Sequence, residues 1–413
     1  MQEPDPRRRP RRILFIDHDD GWSGSSVSLE YLLGAFGRRE YEVFVLTPKK
    51  GHDLERLARS AGSTPVLWHK GRWRKITLDS HFTNVRSLLS LKGPLLLVYE
   101  MLKFVYGGVL IWSTIRRLSP DLVYVNEHVV LEASVAAWLA RKPSVLHIRS
   151  LMLSGAVGLR RRLFAWTILT FNRSIFAITA LEAEQLRTGN DCSAKVRIIG
   201  EFFSPPEITR YDSNRYKVDL GLPGDANVVA MLGGIEAEKG SLIFLRSVPH
   251  ILAKFPNTVF VIAGRHDRTE DFRMMYREEC LRAIDKLDKP GVVYLLGEIS
   301  NPIDVVSASD VLVSPSTRTH FSRPVVEAWG MSKPVVASRT EHMQKLIEDG
   351  IDGLLFNVGD PEDLARCIIR LLSDVPEQLR LGEEGRKKVE RDFWAERNLQ
   401  TIIDICETAL TAR

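Results

Sequence analysis

What the 413-residue chain has little of narrows its function early. It carries only four cysteines, Cys192, Cys280, Cys367 and Cys406, too widely separated for a zinc or redox motif. A disulfide framework is therefore not expected, and a reducing, cytoplasmic setting is. No uninterrupted apolar run reaches spanning length. The most apolar stretch, residues 94–113, contains Glu100 and Lys103 and reads as a buried or membrane-grazing helix. The arginine-rich start, Arg7, Arg8 and Arg9 with Arg11 and Arg12, leads into a short ILFI run and then acids, which is not the pattern of a signal peptide. There is no P-loop, no G-x-G-x-x-G, no metal-ligand spacing and no carboxylate pair placed as a glycosidase needs. Net charge is only +5, from 57 basic and 52 acidic side chains, too mild by itself to imply nucleic acid.

The charge is nevertheless divided. Residues 1–205 hold 30 basic and 19 acidic side chains, and residues 206–413 hold 27 and 33. A basic first half is suited to an anionic surface or acceptor. Both halves share one grammar, in which short β-branched apolar runs alternate with segments of helical length. The runs begin with RRILFID (11–17) and YEVFVLT (41–47) and continue through PVLWH (65–69), DLVYVN (121–126), PSVLHI (143–148) and SIFAIT (174–179). The second half adds NVVAML (227–232), TVFVIAG (258–264), GVVYLLG (291–297), DVLVSP (310–315), KPVVAS (333–338) and GLLF (353–356). Runs apolar throughout predict parallel sheets covered on both faces, hence two doubly wound, Rossmann-like α/β domains. The pattern divides into a basic tail (1–12), a first domain (13–205), a second domain (206–391) and a last helix (392–413).

In such folds ligands meet the loops after strands, and three of those loops stand out. DHDDGWSGSSVSLEYLL (17–33) carries Gly24 and Ser25 just before a helical pattern, where free N–H groups suit an anion; a tight turn with a serine cap is the competing reading. MLGGIEAEKGSLIFL (231–245) ends a strand in Gly233-Gly234 and puts Lys239 at the mouth of a helix, as a point charge for phosphate or as a solvated surface lysine. DVLVSPSTRTHFSRPVVEAWGMSKPVVAS (310–338) has amides near His320, Phe321 and Ser322 leading into a helix begun by Pro324. Glu327, one turn inside, can accept from a ribose diol; it is read as having no obvious basic partner at helical spacing, which is odd for pure structure, with a solvated helix face as the competing reading.

From GGIEAEKG through VFVIAGRHD, VVYLLGEIS, ASDVLVSPS and HFSRPVVEAWGMSKPVVAS to EDGIDGLLFNVGDPEDLA, about 170 consecutive residues resemble the nucleotide-sugar domain of glycosyltransferase family 4. The first half resembles that family more loosely, through SGSS, SVLHIRS and AITALEAEQL with KVRIIGEFF. The resemblance implies the GT-B fold, two Rossmann-like domains facing across a cleft with the last helix crossing back to the first. It implies retaining transfer of a sugar, of hexosyltransferase type, from a nucleoside diphosphate sugar to an acceptor hydroxyl, with no cofactor and no obligatory metal. Lys239 would bind diphosphate and Glu327 the ribose. Gly24, Ser25, Gly233, Gly234, Thr319, His320, Phe321 and Ser322 would line the donor. His147 would stand near the transferred sugar and acceptor, and Arg265–Asp267 with Glu298–Ser300 would form the base pocket.

Two positions depart from the family pattern. Gly234 stands where an arginine is usual, and Thr319 where the first of two glutamates is usual. Arg323 is expected to replace the lost charge at the phosphate, a contact worth roughly 1.5–3 kcal/mol. Arginine clusters in the first half (Arg72, Arg74, Lys75; Arg116, Arg117; Arg160 to Arg162), beside apolar 94–113 and 163–171, suggest a lipid-linked or polysaccharide acceptor at an anionic membrane's inner face, with a solvated basic face as the plainer reading. Two other functions stay open on the same frame: a nucleotide-sugar epimerase, and a non-catalytic nucleotide-binding subunit.

Overall fold

Nearly every strand is buried on both faces, so the strands can only stack as parallel sheets walled by helices. The computed structural model describes residues 9–17, 24–39, 41–47, 53–67, 93–152, 159–187, 194–204, 213–264, 271–299 and 301–411. They divide into two units, the first made of residues up to Phe202 together with Ala395–Arg413, the second of Phe203–Trp394. Together they have the GT-B architecture of two parallel, Rossmann-like sheets.

The first unit is built on β1 (Arg12–Ile16), β2 (Glu42–Thr47), β3 (Thr64–Leu67), β4 (Leu122–Val125), β5 (Ser144–Ile148), β6 (Ser174–Ala177) and β7 (Val196–Ile198), ordered β3-β2-β1-β4-β5-β6-β7. Its helices are α1 (Gly24–Gly37), α2 (Asp53–Ser60), α3 (Gly93–Leu118), α4 (Leu131–Leu139), α5 (Leu159–Phe171) and α6 (Ala180–Glu184). Alternate residues of β1 feed opposite cores. Ile13 and Phe15 pack with Leu29 and Phe36 of α1, while Leu14 and Ile16 pack with Ile111 and Ile115 of α3 and Ala133 of α4. The outer side of α3 stays bare: Val98, Met101, Leu102, Val105 and Val109 are each more than half exposed and recur at helical spacing. No helix among the described residues is long and apolar enough to cross a membrane.

The second unit uses β8 (Asn227–Leu232), β9 (Thr258–Ala263), β10 (Val293–Gly297), β11 (Val311–Ser314), β12 (Val335–Ser338) and β13 (Leu354–Phe356), ordered β10-β9-β8-β11-β12-β13. Around it lie α7 (Ser213–Asp219), α8 (Ser241–Leu252), α9 (Asp271–Asp285), α10 (Pro302–Ala308), α11 (Arg323–Gly330), α12 (Glu341–Leu346), α13 (Pro361–Ser373) and α14 (Val375–Asp392). Proline opens α10, α11, α13 and α14, where its missing N–H costs nothing. The chain then returns to the first unit as α15 (Ala395–Thr411), whose Leu399, Ile402, Ile403 and Cys406 complete the core shared by β1 and α1.

In each sheet the strand order reverses beside its first strand, between β1 and β4 and between β8 and β11. Successive connections leave to opposite sides there and open a crevice at the strands' carboxyl ends. The loops after β8 and β11, and after β1 and β4, are therefore placed for ligands.

Candidate active site

The switch point of the second unit brings Lys239 and His320 together. After β8 the amides of Gly233 and Gly234 both donate to the Ala263 carbonyl, at 2.8 and 2.9 Å. Gly233 has φ 121°, and a Cβ there would lie 3.1 Å from Lys239 Cγ, so the lysine stem lies across a bare backbone. Gly240 caps α8 at φ 76°, and a Cβ on it would stand 1.8 Å from the Pro315 carbonyl oxygen. Only glycine lets the two loops touch at that point. Ser241 Oγ donates to the Gly234 carbonyl (2.9 Å) and accepts from the Glu236 amide (3.0 Å). The Thr317 amide donates to the Glu238 carbonyl at 3.0 Å, tying the β8 loop to the β11 loop.

Across this junction Lys239 Nζ lies 3.1 Å from His320 Nε2. An ammonium only donates, so Nε2 accepts. The imidazole proton is then on Nδ1, 3.1 Å from the Arg318 carbonyl. Burial, and then the Lys239 charge, push the His320 pKa down to about 4. His320 is thus a neutral acceptor that holds a cation at the crevice.

Glu327 and Arg323 correct the sequence expectation. Arg323 Nε donates to Glu327 Oε1 at 2.9 Å within the first turn of α11, both side chains nearly buried. Glu327 therefore has a basic partner, four residues before it, and that contact occupies the arginine's Nε with a carboxylate. Ser322, the buried residue capping α11, bonds to Ser314 (Oγ–Oγ 3.0 Å). Phe321 is half-buried and packs against Phe393, with ring centroids 6.1 Å apart. Thr319 is half-buried in the same loop. Glu298 is exposed after β10, while Arg265–Asp267 and Ser300 lie outside the described residues.

In the first unit Gly24 opens α1, exposed, and Ser25 is half-buried beside it; His18, Asp19 and the glycine and serine of 21–23 lie outside the described residues. His147 is wholly buried in β5. Its Nδ1 lies 2.9 Å from Tyr124 Oη and accepts from Arg149 Nη2 at 3.1 Å. The ring proton is therefore on Nε2, which has no acceptor among the described residues. Burial and the Arg149 charge hold the ring neutral, its pKa far below the usual histidine value.

Sequence reasoning missed what surrounds it. Asn126, after β4, donates to Asp17, after β1, at 2.7 Å, closing the switch point. Arg149, after β5, donates to Asn126 Oδ1 (3.1 Å) and Glu201 Oε1 (2.6 Å). The Ser28 hydroxyl, one turn into α1, lies between the Gly24 carbonyl and Glu201. A polar residue immediately after each of β1, β4 and β5, namely Asp17, Asn126 and Arg149, was the available signal.

The geometry invites comparison with known proteins. Residues 23–200 match the glycosyl transferase 4-like domain family, and residues 226–374 match the glycosyl transferases group 1 family. The D-inositol 3-phosphate glycosyltransferase of Corynebacterium kroppenstedtii is 28% identical over 208 residues, 48% of this chain and 44% of that protein. The lipopolysaccharide core biosynthesis glycosyltransferase LpsE of Rhizobium meliloti is 26% identical over 199 residues, 48% of this chain and 54% of that protein. The chain spans about half the length of these curated relatives. In fold it is similar to Anabaena Alr3699/HepE in complex with UDP and glucose, with a TM-score of 0.73 at 18% identity over 96% of this chain and 99% of that one.

Proposed function

The chain belongs to the family 4 glycosyltransferases of GT-B fold, and we propose that it moves a sugar from a nucleoside diphosphate sugar to an acceptor hydroxyl with retention of configuration. The observation that carries this reading is the Lys239–His320 pair at the β8–β11 switch point. When a diphosphate arrives, Lys239 exchanges a neutral imidazole for phosphate oxygens and meets the charge that grows as the sugar departs. Donors of this kind, fixed beforehand in a dry site, are each worth about 10²–10³ in rate. Amides of the β8 and β11 loops and the first turn of α11 supply the remaining N–H groups. Glu327, steadied by Arg323, accepts from the ribose. The solved relative bound to UDP and glucose supports a nucleotide-sugar donor.

The acceptor belongs to the first unit. The buried Nε2–H of His147 has no acceptor among the described residues, and a sugar or acceptor hydroxyl suits it. The exposed apolar stripe on α3, ending at exposed Arg116 and Arg117, suits an anionic membrane carrying a lipid-linked acceptor.

A melting-temperature screen with UDP-, GDP- and ADP-sugars tests the donor, since ligand at a hundred times its Kd stabilises by about 2.7 kcal/mol. One donor should raise the wild-type melting temperature and lose that effect in Lys239→Ala; no shift with any donor sinks the reading. His147→Ala should keep the shift and lose transfer, and NMR of the product should show the donor's anomeric configuration.

A further inference from the structure

At the amino edge of the first sheet, opposite the strand ends just described, the first unit holds a cavity of about 370 Å³. Four cations line it, Arg141, Lys142, Arg173 and Lys195, with the rings of Trp138 and Phe171 as its apolar wall and no carboxylate among its lining residues. We propose that it is a second anion site that binds a phosphate ester, with a sugar or other apolar-faced group of the ligand lying against the two rings.

Many cations on this protein are met by carboxylates within ion-pair distance, as Arg59, Arg246, Arg339 and Arg370 are; Arg141, Lys142 and Lys195 have no such partner among the described residues. Lys195 instead donates to the Leu169 carbonyl (2.9 Å), Lys142 to the Ser119 hydroxyl (3.2 Å), and Arg141 to nothing among the described residues. The plain structural reading is that these cations offset the ends of α4 and α5. Those two helix ends carry about one negative charge between them, against the three positive charges of Arg141, Lys142 and Lys195. The excess is what a phosphate would neutralise.

The local backbone adds to the case. The Arg141 amide donates to Trp138 and the Lys142 amide to Ala137, which ends α4 in a reversed turn. Arg141 occupies the left-handed position of that turn, at φ 57°, where glycine is usual and an L side chain is strained. The turn places the Arg141 guanidinium, unpaired among the described residues, in one cavity with a tryptophan that is 56% exposed. Trp138 and Phe171 meet edge to face at 5.2 Å, and exposed Trp166 continues that wall, 5.9 Å from Phe171.

A phosphate ester can come free in solution or on a lipid head group, and two arms separate the sources. In the first, glycerol 3-phosphate is titrated into the Lys239→Ala protein, which silences the proposed donor site, while the indole N–H resonance of Trp138 is followed. In the second, wild type is sedimented with phosphatidylcholine vesicles with and without phosphatidic acid. Arg141→Gly, which removes the charge and relieves the turn, and Lys142→Gln are compared in both arms. A saturable shift weakened roughly ten- to a hundredfold by either variant supports the site with a soluble ligand. Sedimentation that requires phosphatidic acid and is reduced by both variants supports it with a lipid one. The proposal is overturned when neither arm shows binding, or when both variants bind as wild type does. Donor-induced stabilisation, measured beside it, reports on the proposed transfer activity independently.

Discussion

Arg323 and Glu327 form a nearly buried pair, and removing one partner strands the other. Arg323→Ala should therefore destabilise the second unit by about 2–4 kcal/mol in urea titrations. Adding Glu327→Gln should recover a large part of that, with a coupling of roughly 1–3 kcal/mol in the double-mutant cycle. The i,i+4 spacing of this pair is visible in the chain, but spacing alone does not say whether the arginine turns to the glutamate or to a ligand. The Lys239–His320 contact is of another kind, joining residues 81 apart that only the meeting of two loops brings together. Its titration has a sign. His320 ionises near pH 4 when folded and near 6.5 when unfolded, so between those values the unfolded chain holds a proton that the folded chain refuses. Stability should fall as pH drops through that window, by on the order of 3 kcal/mol in total. His320→Gln should flatten that slope, as read by urea midpoints from pH 7 to pH 4.

At the scale of elements, the turn into α8 depends on Gly240. Gly240→Ala sets a Cβ against the Pro315 carbonyl and forces a left-handed φ on an L residue. The cost should be about 2–4 kcal/mol. Because the two loops would part, nucleotide-sugar binding measured by calorimetry should fall with it. The wholly buried strands were legible because burial on both faces leaves an unbroken apolar run. β7 escaped notice for the converse reason. It has three residues at the sheet edge, two of them exposed, so no hydrophobic pattern marks it. The loops proposed to hold the donor could be read because each lies within a few residues of its strand. The polar network of the first unit could not, since Asp17, Asn126, Arg149 and Glu201 come from four separate stretches of chain.

At the scale of the molecule, the first unit is discontinuous in sequence and α15 closes its core. Leu399, Ile402 and Ile403 are buried there, at about 1.5–3 kcal/mol each, a sum comparable with the whole stability of an ordinary domain. Ending the chain at Trp394 should abolish cooperative unfolding of the first unit and leave that of the second, as two calorimetric transitions reduced to one. The sequence places a helix at 392–413, but its apolar face alone does not name the partner that covers it.

The same return of the chain orders events during synthesis. Unit 2, Phe203–Trp394, has all its residues synthesised before the last helix is made. The first unit, begun earlier, must wait with the groove beside α1 open until α15 has been made. The part made first is thus finished last, and its bare groove is what a nascent-chain chaperone would meet.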